Sequence, residues 1–140
     1  MARKYVRVAF AVAASAGLFV VAAGGSTTAQ EKTLTIKDIM KAGHGGADPL
    51  LKQVVTTSKG GKWDAAVAAA KSLDSNAALL AKATPRKGEA SSWEKLGEKY
   101  HANTTALLTA TEKKDAAGVT KAAGILQGSC KECHTVHRGK

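Results

Sequence analysis

No stretch of this chain sustains the period-2 alternation of a half-buried strand, and strongly strand-forming residues are few. A β-rich fold is therefore not expected. Aromatic side chains are scarce as well. Beyond residue 29 there are only Trp63, Trp93 and Tyr100, since Phe10, Phe19 and Tyr5 all lie earlier. Arginine in that part is limited to Arg86 and Arg138, and the lysines are spread along every segment. A basic chain with neither an aromatic nor an arginine-rich patch argues against nucleic acid as a partner. Two cysteines in 140 residues exclude a disulfide framework. The longest apolar run, Val8 to Ala23, falls short of the ~20 residues that span hydrocarbon.

That run has a different reading. Arg3, Lys4 and Arg7 precede it, and Gly24 to Ala29 follows as a small-residue stretch. Thr27 and Ala29 are placed for cleavage before Gln30, so residues 1–29 read as a secretory signal peptide. No cysteine closes the apolar run, which argues against a lipoprotein. Residues 30–140 are then one exported, periplasmic domain, large enough for one core and with no membrane contact after cleavage. The formal net charge of +10 falls to +7 once Arg3, Lys4 and Arg7 are set aside. Such a surface is either simply solvated or steers acidic partners.

Alanine is abundant throughout this part, which favours helix. Gly and Pro punctuate four helical segments. The first opens at Thr35-x-x-Asp38, which resembles a capping box, with Ile36, Ile39, Met40 and Gly43 on one face. Gly45 and Gly46 interrupt it, and Asp48-Pro49 restarts a helix with an expected N-cap followed by proline. The second runs from about Trp63 to Lys82. Thr84 to Gly88 is a loop, and Ser91-x-x-Glu94 is the expected cap of the third. Lys113 to Asp115 marks a turn before the fourth, which carries Val119, Ala122, Ala123, Leu126, Cys130 and Cys133. Gly124 and Gly128 share one face of it, as for close approach by a neighbouring helix or the porphyrin. The pattern predicts an all-α fold, an antiparallel four-helix bundle with short connections.

The chemistry is concentrated in Cys130-Lys131-Glu132-Cys133-His134. Cys-x-x-Cys-His is the attachment signature of a c-type haem. Two thiols three residues apart on a helix can each add across one porphyrin vinyl group, and the adjacent imidazole can then reach the iron. A thioredoxin-like pair would follow a strand, and none is predicted here. A zinc site would have to use adjacent Cys133 and His134 on one tetrahedral ion, with His137. A Cys130–Cys133 disulfide would close a very short loop and staple nothing. The motif therefore predicts one covalent haem c on the C-terminal helix. Export fits, because bacteria attach c-type haem outside the cytoplasm.

With this motif near its C-terminal end and a four-helix pattern, the chain resembles the class II cytochromes c: cytochrome c′ and its low-spin relatives. Their motif is typically followed by x-x-Phe-Arg. Here the run continues Thr135-Val136-His137-Arg138, so the arginine matches and His137 replaces the phenylalanine. Trp93 at the start of the third helix is similar too. The resemblance spans roughly residues 33–138. It implies His134 as proximal ligand, Arg138 as a haem-binding residue that pairs with a propionate, and a homodimer through the first two helices.

The sixth iron position decides the function. By resemblance to the low-spin relatives, Met40 is the distal ligand, and beyond the initiator the chain has no other methionine. His/Met ligation suits an electron carrier that serves redox partner proteins and has no substrate chemistry of its own. Met40 also reads as ordinary core filler. In that case the alternative is a five-coordinate, c′-like protein binding NO or CO. His44, four residues on, is either a second ligand, a pocket residue or a helix-end side chain. His101 reads as partly exposed on the third helix. No distal His/Arg pair suggests an enzyme, since Arg86 falls in a loop.

Overall fold

A computed structural model of the chain describes residues 34–138. The expected leader lies outside them. The described residues form five helices and, among them, no strand: α1 (Ile36–His44), α2 (Leu50–Lys59), α3 (Trp63–Lys82), α4 (Ala90–Glu112) and α5 (Ala116–His137). The all-α expectation holds. The glycine interruption at Gly45–Gly46 is complete enough to make two helices of the first segment. None of the described helices is long and apolar enough to cross a membrane.

Local chemistry accounts for most of the boundaries. Thr35 and Asp38 form a reciprocal capping box at the start of α1, worth about 1 kcal/mol. Gly45 then donates its N–H to the carbonyls of Met40 and Lys41, and Gly46 turns the chain away at φ +78°. That left-handed conformation favours glycine. Two expected caps are displaced. Pro49, not Asp48, is the N-cap of α2; the Asp48 carboxylate lies 4.0 Å from the Lys52 ammonium in an exposed ion pair, and its carbonyl accepts from the Gln53 side chain (2.9 Å). Helix α4 begins at Ala90 with Glu89 as N-cap, so Ser91 already lies inside it. In both cases the backbone turns helical next to the expected residue, and no side chain takes over the cap. At α5, Asp115 does cap, accepting from the Gly118 N–H at 2.9 Å.

Helix α3 packs against α1, α2 and α4, and α5 packs against α4 and α2. Two apolar clusters result. The larger is aliphatic and centres on Leu51, Val54, Leu73, Leu107 and Leu126, with small alanines filling in between. The smaller comprises Ile39, Leu80 and Trp93, with Met40, Tyr100 and Cys133 packed on its edge. The tightest helix approach is at Gly97 of α4, where a Cβ would lie 2.8 Å from the Ala81 Cα of α3. No neighbouring helix approaches Gly124 or Gly128 closely. Both are exposed, and a Cβ at either would meet nothing within 4 Å.

Candidate cofactor site

The larger cluster leaves one end of the helices unfilled. A cavity of about 1030 Å³ opens there between α1, the end of α3, the loop at 83–89, α4 and α5. Its volume lies at the upper end of the ~300–1,000 Å³ usual for cofactor pockets. Cys130, Cys133 and His134 from α5 line it, and so do Met40 and His44 from α1. Every residue named from the sequence as a thioether anchor or iron ligand thus reaches the same space. Arg138, the C-cap of α5, also lines it.

Helical spacing explains the α5 side. Cys130 and Cys133 lie one turn apart, both half-buried, and both thiols are free. Burial, with Glu132 and Cys130 nearby, pushes the Cys133 thiol pKa up, so the proton stays on sulfur. His134 is exposed on the cavity wall. Among the described residues, no group of three or more His, Cys, Asp or Glu side chains converges on a point that would hold a metal ion. The zinc reading of Cys130, Cys133, His134 and His137 therefore has no geometric support. A planar group that takes its ligands from opposite walls needs no such convergence. The donor set fits haem: two thiols not in a disulfide, a neighbouring imidazole, and a thioether lining the same cavity.

On α1, Met40 is half-buried against the Ile39–Leu80–Trp93 cluster. His44, one turn on, has a partner already: its Nε2 lies 2.7 Å from the Tyr100 hydroxyl, and the two rings meet edge-on. Burial lowers the His44 pKa, and proximity to His134 adds to this. Burial raises that of Tyr100, with Cys130 adding. Both shifts favour a neutral imidazole joined to a neutral phenol.

Two residues prove more tied in than the sequence suggested. His137 is buried at the end of α5. It is 6% exposed, its Nδ1–H donates to the Lys87 carbonyl (2.8 Å), and its Nε2 accepts from the Ser92 hydroxyl (3.1 Å). Its ring stands edge-on to Trp93 at 5.2 Å. Arg86, set aside as a loop residue, lines the cavity with Arg138. The one signal for it in the sequence is compositional: these are the only two arginines beyond residue 29. Trp93 donates its indole N–H to the Leu80 carbonyl (3.1 Å), satisfying an acceptor in the last turn of α3. His101 lies away from the cavity, 3.6 Å from Asp74. No known family, curated protein or solved structure matches the chain.

Proposed function

We propose that the protein is an exported mono-haem c-type cytochrome of the class II kind, an antiparallel four-helix bundle that carries electrons between redox partner proteins. One observation carries this reading: Cys130, Cys133 and His134 on α5 open on the same cavity as Met40 on α1. In this reading the two thiols anchor the porphyrin through thioether bonds, His134 Nε2 or Nδ1 is the proximal donor, and Met40 Sδ the distal one. Bound there, the haem iron supplies a one-electron ferric/ferrous couple, whose potential a methionine ligand raises. The chain holds the two donors on separate helices, and the Ile39–Leu80–Trp93 cluster packs against Met40. The commitment of His44 Nε2 to Tyr100 favours Met40 over His44 as ligand. The protein is proposed as a carrier, not an enzyme.

A second reading rests on the packing of Met40 against Leu80 and Trp93, which also suits a core side chain. The iron would then be five-coordinate, and NO or CO would bind in the apolar space. Expression with export and c-type maturation tests the reading. The wild type should keep haem-stained colour after denaturing electrophoresis and gain the mass of one haem. The C130S/C133S variant should lose both, and covalent haem retained in that variant would overturn the attachment. Near-infrared magnetic circular dichroism of the ferric protein then separates His/Met from bis-histidine and high-spin iron.

A further inference from the structure

The loop at 83–89 is fastened to the end of the haem-motif helix by a contact that the motif does not require. His137, where the resembling family has phenylalanine, donates Nδ1–H to the Lys87 carbonyl. Gly88 follows at φ +83°, and a Cβ there would lie 2.5 Å from Nδ1 and 2.7 Å from Cε1 of His137. Only a glycine backbone can lie this close to the ring in that conformation. Ser92 and Trp93 hold the other side of the imidazole. The latch thus fixes the residue next to Arg86, and Arg86 lines the cavity together with Arg138. Of the two lysines that also line it, Lys37 comes from α1 and Lys99 is already paired with Glu132 at 2.7 Å.

We propose that Arg86 binds one of the two porphyrin carboxylates, and that His137 is the positioning residue holding its loop against the cavity. This rests on the haem reading above. A guanidinium pairs a carboxylate bidentately, which a lysine cannot do. Arg138, adjoining His137 at the end of α5, is then left for the other carboxylate. The Lys87 contact acts on Arg86 only through the backbone, so removing it should loosen the pair without deleting it.

The test uses the covalently loaded holoprotein and its resonance Raman propionate-bending bands, which rise when the carboxylates are hydrogen-bonded. R86A should lower one band and leave the porphyrin core-size bands unchanged. R138A should lower the other. H137F keeps a ring beside Trp93 but cannot donate to Lys87, and it should lower the R86A-sensitive band by a smaller amount. Both bands unmoved in R86A would overturn the Arg86 assignment, and Arg86 is exposed, so that variant is expected to fold. A shift in R86A with none in H137F would overturn the positioning role. A wild type that gains no haem mass would overturn the underlying reading instead, a result distinct from either.

Discussion

On the proposed haem reading, Met40 and His44, one turn apart on α1 and lining one cavity, would compete for the same iron position, so single side chains decide the chemistry. Breaking the His44–Tyr100 hydrogen bond costs a net ~0.5–1.5 kcal/mol. That is a modest barrier to His44 ligation but a consistent bias toward Met40. M40A should therefore convert the ferric iron from low to high spin and lower its potential, as read by absorption and potentiometry. Y100F should leave the low-spin spectrum intact. A low-spin M40A protein would instead promote His44. The sequence pointed to His134 through the motif and to Met40 through the family resemblance, and both residues line the cavity. The sequence could not make His137 legible. The partners of that side chain, Lys87 and Ser92, lie 50 and 45 residues away along the chain and meet it only through the fold. The same holds for Arg86, whose loop reads as solvent-facing until α5 is laid against it.

Helices were easier to read than their contacts, because periodicity and capping are local while helix approach is not. Thr35 and Asp38 cap α1 as their spacing implies. The small-residue contact was expected on α5 and occurs on α4, where Gly97 meets Ala81. Gly97 matters because a neighbouring backbone occupies the place of its side chain, which no single helix reveals. The two sites should respond oppositely to the same change. G97A forces α3 and α4 apart and should destabilise by about 1–3 kcal/mol. G124A meets nothing and should stabilise by up to ~1 kcal/mol through helix propensity. Urea midpoints of the two holoproteins check this. A G124A protein less stable than wild type would mean that its face is covered in solution.

At the scale of the whole molecule the charge is legible in the sequence and its placement is not. Lys37, Arg86, Lys99 and Arg138 come from α1, a loop, α4 and the end of α5, yet all four line one cavity. Glu132 offsets one of them, and two porphyrin carboxylates would offset two more. The local rim is then close to neutral. Steering must come mainly from the broader excess of lysine, a formal +7 beyond residue 29. A diffuse field of this kind belongs at the low end of the 10–10³ range of electrostatic rate enhancement. Oxidation of the ferrous holoprotein by a small anionic complex should accordingly slow, on the order of tenfold, as salt rises from low ionic strength and the Debye length shrinks to about 8 Å. A cationic oxidant of similar driving force should speed up over the same range. Stopped-flow rates with both reagents separate the two sources of charge, because R86A should leave the salt slope nearly unchanged if the field is diffuse. A slope abolished by R86A alone would place the steering at the cavity mouth and make that rim the docking surface for an acidic partner.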